Sequence, residues 1–176
     1  MIMRFNVAQL LKAHSGETRE QTLHENIEQL DPDIAPLSTL DGTVQLIRTA
    51  DGVLVIGTLH CSLELVCARC LDPFSFPLKF KLEEEFRPTI DIATGANLPR
   101  MADDEEATRI DAHHELDLSE VVRQNILLAL PPTPICRTQC AGLCSQCGKN
   151  WNEGPCDCKH DEIDPRFEKL KELLDK

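Results

Sequence analysis

Eight of the nine cysteines in this chain stand in four close pairs: Cys67-x2-Cys70, Cys136-x3-Cys140, Cys144-x2-Cys147 and Cys156-x-Cys158. A tight turn between two thiolates aims both at one point about 2.3 Å from a metal ion, so such pairs suit a tetrahedral site. Cys144-Ser-Gln-Cys147-Gly148 has the form of a zinc knuckle. The glycine after the second cysteine lets the turn take a positive φ and turn backbone N–H groups toward sulfur. Cys156 and Cys158 lie within reach across residues 149–155, so one site closes locally within residues 144–158. Cys67 and Cys70 with Cys136 and Cys140 then make a second, long-range site, although spacing alone leaves other pairings of the four pairs open. The expectation is two zinc ions per chain, held by eight cysteines. Cys61 falls on the apolar face of a strand and reads as a small core residue.

Other uses of cysteine fit less well. Disulfides need an oxidising compartment. The start, Met1-Ile-Met-Arg-Phe-Asn6, lacks the charged region, apolar core and cleavage site of a signal peptide. The longest apolar stretch, Ile126-Leu-Leu-Ala-Leu130, falls far short of the roughly 18 to 20 residues that span a bilayer. The chain is therefore expected to be cytoplasmic. Nothing repeats a ferredoxin-type run, and a dithiol redox centre would need one activated pair, not four. There is no Ser-His-Asp ordering, Gly-rich phosphate loop or Walker-type lysine. Asp111, His113, His114 and Glu115 could ligate a metal, but adjacent residues diverge, and they read as a solvated loop. No enzymatic activity is expected.

Charge narrows the partners. The chain carries 18 basic against 30 acidic residues, a formal −12, and shows no basic stripe of the kind that neutralises phosphates. The densest run, Asp103-Asp-Glu-Glu106, is acidic and reads as a solvated linker.

Periodicity indicates an α+β fold. Residues 6–12 suit a short strand or a helix capped by Asn6, and residues 13–39 an irregular strand and loop. Asp41-Gly42 and Asp51-Gly52 are turn dipeptides flanking a strand at Val44–Ile47. The odd positions Val53, Val55, Leu59, Cys61, Leu63 and Leu65 make one apolar face, and Phe74, Phe76, Leu78, Phe80, Leu82 and Phe86 make another. These two long strands form an antiparallel hairpin with Cys67 and Cys70 at its tip. A short strand is expected near Thr108–Asp111. Asp117-Leu-Ser-Glu120 opens a helix whose apolar face is Leu118, Val121, Val122, Asn125, Leu128 and Ala129, stopped by Pro131-Pro132. Asp164-Pro165 opens a terminal helix with Phe167, Leu170, Leu173 and Leu174 on its apolar face. The expected organisation is an α+β domain over residues 1–135, with an antiparallel sheet of four to six strands and a packed helix. A cysteine-rich segment and terminal helix over 136–176 pack against it.

These residues resemble the YceD family of large ribosomal RNA subunit accumulation proteins. The resemblance rests on Cys67-Ala-Arg-Cys70-Leu71 and on the helix from Asp117-Leu118 to Leu128-Ala-Leu-Pro131. It also rests on Cys136-x3-Cys140-x-Gly142-Leu-Cys144-x2-Cys147-Gly148-x-Asn150-x-Asn152, and on Cys156-x-Cys158 before Asp164-Pro-Arg166. Trp151 stands where the family pattern tends to an aliphatic residue. The resemblance implies a role in the synthesis, processing or stability of large-subunit (23S) ribosomal RNA, with no known catalytic residue and with a small basic ribosomal protein as a partner. A zinc-ribbon interaction module of the transcription machinery would share the cysteines. Arg69, Arg137 and Lys149 each stand near a metal-ligating cysteine and are the candidates for contact with RNA or a partner.

Overall fold

The computed structural model describes residues 3–100 and 105–158. The expected terminal helix, with Phe167, Leu170, Leu173 and Leu174, lies outside the described residues. The chain runs β1 (Arg4–Asn6), α1 (Ala8–Leu11), β2 (Thr18–Glu25), β3 (Leu40–Arg48), β4 (Val53–Val66) and β5 (Pro73–Pro88). It continues through a 3-10 turn (Glu106–Thr108), β6 (Arg109–Ile110), β7 (Glu115–Asp117) and α2 (Ser119–Ala129). Among the described residues no helix is long and apolar enough to cross a membrane.

The β4–β5 hairpin organises the sheet. Its register, from Val53 opposite Phe86 to Val66 opposite Pro73, sets odd positions of β4 against even positions of β5. Directly opposed residues share a face, so the two apolar patterns meet on one side. Val53, Val55, Leu59, Cys61 and Leu63 are buried there with Leu78, Phe80, Leu82 and Phe86. β3 flanks β4, β2 flanks β3, and β6 adds two parallel pairs to the end of β5, in the order β2-β3-β4-β5-β6. The sheet has five strands, as expected, but β6 makes it mixed instead of wholly antiparallel. A second pairing joins β1 to β7. α1 packs on β3 and α2 on β5. Met3, Leu10, Leu116, Leu118, Val122 and Ile126 complete the same core.

Several local expectations are corrected. Asp41-Gly42 is not a turn: both residues lie inside β3, opposite His60 and Leu59. Gly42 is there because the neighbouring strand passes too close for a side chain. A Cβ at that position would sit 2.3 Å from the Thr58 carbonyl oxygen. Asp51-Gly52 does make the β3–β4 turn, with the Thr49 N–H donating to the Gly52 carbonyl at 3.0 Å. The 13–39 region holds a regular eight-residue strand, β2, which alternating apolar residues do not announce because only Leu23 is buried. Asn6 ends β1 and the segment after it is helical, but the N-cap of α1 is Val7; Asn6, whose Oδ1 accepts the Ala8 N–H at 3.1 Å, stands one residue before the expected cap position. Glu120 does not reach back in a capping box; it holds Arg123 at 2.7 Å. The helix buries Ile126 and leaves Leu128 84% exposed, reversing two positions of the expected stripe.

Asp117 joins β7 to α2. Its carboxylate accepts the Ser119 N–H at 2.8 Å and the Arg4 Nε–H at 2.8 Å. Burial works to raise its pKa, but the Ser119 hydroxyl and N–H and the Arg4 guanidinium outweigh it, so the carboxyl titrates below its ordinary 3.8. A depressed carboxyl contributes stability that is whole above the unfolded-state value and is lost as pH falls through the folded one. Asp117→Asn keeps an acceptor for Ser119 and loses the ion pair. It should cost about 1 kcal/mol or less at pH 7, the pair being partly exposed. The gap to the parent should start to narrow as pH falls below ~4 and close only beneath the lowered folded-state value, in urea melts taken across the acid range. Gly42→Ala should cost about 2 kcal/mol or more at every pH, because the Thr58 carbonyl belongs to the rigid centre of the sheet.

Candidate metal centres

Both strands of the β4–β5 hairpin outrun β3, whose pairing with β4 stops at Asp41 opposite His60. The hairpin tip is thus carried beyond the sheet. There the Cys67 N–H donates to the Asp72 carbonyl, and the Leu71 N–H donates to the Cys67 carbonyl, both at 2.9 Å. This closes a knuckle in which Leu71 takes φ +61. The chain leaving α2 cannot continue as helix past Pro131-Pro132, and Leu130 is already extended. It runs to the tip, where the Ala68 N–H donates to the Pro134 carbonyl at 2.8 Å.

That approach assembles the first centre. Sγ of Cys67 lies 3.9 Å from that of Cys140, and Sγ of Cys70 lies 3.7 Å from that of Cys136. A tetrahedron with metal–sulfur bonds of about 2.3 Å has edges of about 3.8 Å. All four sulfurs lie within 4.8 Å of one another. A polynuclear iron–sulfur cluster puts its own iron and sulfide atoms between the thiolates and needs a wider cage; this cage has room for one ion. Cys67, Cys70 and Cys140 are buried and Cys136 is half-buried. N–H groups of Arg69 and Cys136 both point at the Cys67 sulfur, at 3.4 Å. Gly142, at φ +77, lets the chain pass the tip: a Cβ there would be 3.2 Å from the Arg69 carbonyl oxygen.

The second centre is Cys144, Cys147, Cys156 and Cys158, again with all sulfurs within 4.8 Å. The Gly148 N–H donates to the Cys144 carbonyl and the Cys144 N–H to the Lys149 carbonyl, each at 2.9 Å. Gly148 takes φ +73, as its place after the second cysteine requires. N–H groups of Gln146 and Cys147 face the Cys144 sulfur at 3.4 Å. This centre is more open, with Cys147 exposed and Cys156 and Cys158 half-buried.

The electrostatics of both tetrads suit a cation. The Cys70 N–H, working against burial and joined by those of Cys136 and Arg69, holds the Cys67 thiol down to about 6. The Asn152 side chain lowers Cys140, and the Cys147 N–H lowers Cys144. Their neighbours go the other way. For Cys70 the Asp72 N–H favours the thiolate, but burial and the other three thiols outweigh it and push it up to about 12. The Cys147 thiol and burial push Cys158 up to about 12. Four thiolates cannot all ionise side by side unless a positive ion joins them.

The structure brings together all eight expected cysteines, in the local and long-range pairing, while Cys61 sits in the apolar core. Asp111, His113, His114 and Glu115 form no such group; the Asp111 carboxylate instead accepts the His113 and Glu115 N–H groups at 2.8 Å. Arg69, Arg137 and Lys149 are exposed, yet each also ties down the loops. Arg69 Nη1 donates to the Cys140 carbonyl at 3.2 Å, Arg137 Nη2 to Asn152 Oδ1 at 2.6 Å, and Lys149 Nζ to the Pro155 carbonyl at 2.7 Å. Sequence reasoning gave no role to Asp72, Asn150 or Asn152. Asn150 Nδ2 donates to Asp72 Oδ2 at 2.6 Å, and Asn152 Nδ2 faces the Cys140 sulfur at 3.4 Å. Their local signal is the turn preference of Asn and Asp and, for Asn150 and Asn152, their place in the string that carries the family resemblance.

A mixed α+β body with two cysteine tetrads, each able to hold an ion, defines a class of protein whose cysteine-rich segment meets the hairpin tip of its own sheet. The chain belongs to the YceD family, described as large ribosomal RNA subunit accumulation protein, which it matches over residues 55–174, a span that includes both centres. Among relatives, an uncharacterized protein of Mycobacterium tuberculosis is 35% identical over 135 residues, covering 77% of this chain and 62% of its own length. One from Mycobacterium leprae is 29% identical over 125 residues, covering 71% of this chain and 54% of its own. A third, large ribosomal RNA subunit accumulation protein YCED homolog 1, chloroplastic, from Arabidopsis thaliana, is 37% identical over 59 residues, 34% of this chain and 18% of its own length. The chain thus spans about three-fifths of the mycobacterial relative's length. No solved structure matches it.

Replacing one ligand in each centre should separate their mechanical roles. Cys70→Ser and Cys147→Ser should each lower the metal content, read by elemental analysis, by one ion. The first should also lower the melting temperature by about 10 °C, because it releases a staple between distant segments, and the second by only a few degrees.

Proposed function

We propose that this chain is a non-enzymatic zinc-binding factor of ribosome biogenesis that supports the synthesis, processing or stability of 23S ribosomal RNA in the cytoplasm. Membership of the YceD family across both centres carries this reading. The choice of zinc is supported by four thiolates at tetrahedral spacing in each centre. The absence of enzymatic chemistry is supported by the ligand count: four protein sulfurs leave no open position for a water or substrate.

The factor acts through a basic ribosomal protein. Each zinc tetrathiolate carries two net negative charges, taking the formal charge from −12 to about −16 and disfavouring long-range attraction of RNA. Around the hairpin tip and the cysteine segment, Val66, Leu71, Ile135 and Trp151 are 56%, 60%, 39% and 38% exposed. Apolar side chains held out by a rigid, metal-fixed frame suit protein docking.

Affinity purification of the tagged chain tests this. The expected catch is large-subunit precursor particles with a basic ribosomal protein, and depletion of the chain should lower 23S relative to 16S ribosomal RNA. Recovery of RNA polymerase in place of those particles would instead favour a zinc-ribbon module of the transcription machinery. Changing Arg69, Arg137 and Lys149 together to alanine should leave RNA binding unchanged; a steep salt dependence lost in that variant would replace the protein route with direct RNA contact.

A further inference from the structure

One short segment, Asn150-Trp151-Asn152, touches both metal centres. Leu143 and Asn150 form an antiparallel bridge, and the Trp151 N–H donates to the Gly142 carbonyl at 2.9 Å, which fixes the segment against the link between Cys140 and Cys144. Side chains on it then diverge. Asn152 Nδ2 faces the Cys140 sulfur of the buried centre at 3.4 Å, while Asn152 Oδ1 accepts from the Ala141 N–H at 2.9 Å and from Arg137. Asn150 reaches Asp72, two residues past Cys70, and its Oδ1 accepts from both the Asn152 N–H and the Asn152 side chain, at 2.9 and 2.8 Å. The Trp151 indole N–H donates in the opposite sense, to the Cys156 sulfur of the open centre at 3.4 Å.

We infer that Asn150-Trp151-Asn152 couples the two centres, so that a metal ion in one tightens the binding of a metal ion in the other. This rests on the reading of both tetrads as metal sites. The physical reason is shared ordering. An ion in the buried centre holds Cys140 and, through Asn152 and Asn150, fixes the backbone on which Trp151 stands. The indole donor is then already aimed at Cys156 when the second ion arrives, and its ordering cost has been met. By linkage the effect is reciprocal. Asn152 and Trp151 are thus positioning residues of the two-ion unit, each donating one hydrogen bond to a thiolate and so lowering its charge density.

The chain carries its own reporter. Trp151 is the single Trp and there is no Tyr, so near-ultraviolet emission reads a donor to the open centre. The full-length chain, stripped of metal under reducing conditions, is titrated with zinc against a competing chelator while Trp emission is followed. Elemental analysis of the loaded protein gives the stoichiometry. Asn152→Ala retains all eight thiols and touches no ligand of the open centre. It should weaken loading of that centre about tenfold, and Cys67→Ser should do the same. Asp41→Ala, on the sheet, should leave the midpoint where it is. Two ions per chain with an open-centre midpoint unmoved by Asn152→Ala would overturn the coupling and leave the metal reading intact. A shift in Asn152→Ala without one in Cys67→Ser would overturn it too, by showing a merely local loop effect. A chain that binds no ion would overturn both readings. Should Cys67→Ser fail to fold, exchange of the Ala141 amide supplies the second measurement, in Cys147→Ser. Faster exchange there than in the parent supports coupling, and equal exchange overturns it.

Discussion

The meeting of Cys67 and Cys70 with Cys136 and Cys140 is the contact on which the rest of this molecule's shape depends. The partners are separated by 66 to 73 residues and come from opposite ends of the main domain: a hairpin tip and the chain just past a helix. Among the described residues nothing apolar of comparable size holds those two places together. The small cluster at the tip consists of Cys67, Cys70 and Cys140, with Phe74, Cys136 and Leu143 against it. Burying so little surface cannot by itself offset the entropy of ordering the segment beyond α2. Metal–thiolate bonds would, so an ion held there would be part of the fold.

The sheet serves this contact by length. Strands of 14 and 16 residues reach well past the eight- and nine-residue strands beside them, and so project the tip clear of the core. Beyond its two pairs with β6, β5 has no strand on its outer side among the described residues. Pro73 and Pro77 lie in that stretch. Proline is tolerated on an edge strand and discourages pairing with another chain. The hairpin is thus an arm that carries Cys67 and Cys70 of the first tetrad at its end. The two centres differ in character as a result. One lies largely buried between the arm and the segment after α2, and the other follows on a short loop with an exposed cysteine, Cys147.

How much of this could be read beforehand varies with the physical cause. The long strands were legible because a sheet face repeats every two residues and one face is buried. The eight ligand cysteines were legible because thiolates at these spacings have few other uses. β2 was legible only as an irregular strand, since its residues Thr18–Glu25 are almost all polar and pair through the backbone, which any side chain permits. Gly42 read as a turn from its dipeptide, whereas its cause is the Thr58 carbonyl of another strand. Leu128 and Ile126 exchanged places because a period of 3.6 defines a stripe but not the angle at which the sheet meets it.

From the order of its residues alone, this chain determined its class, its main hairpin, the eight sulfurs and the family it belongs to, because each rests on local spacing or on a long string of fixed positions. Only the tertiary structure decided which cysteine pairs meet and what surrounds them. It turned the basic side chains of Arg69, Arg137 and Lys149 into clasps on the loops, and it set Asn150, Trp151 and Asn152 between the two centres. A hydrogen bond from an amide to a sulfur twelve residues away leaves no periodic mark in a sequence. It exists only once the chain has been folded back to the tip of its own hairpin.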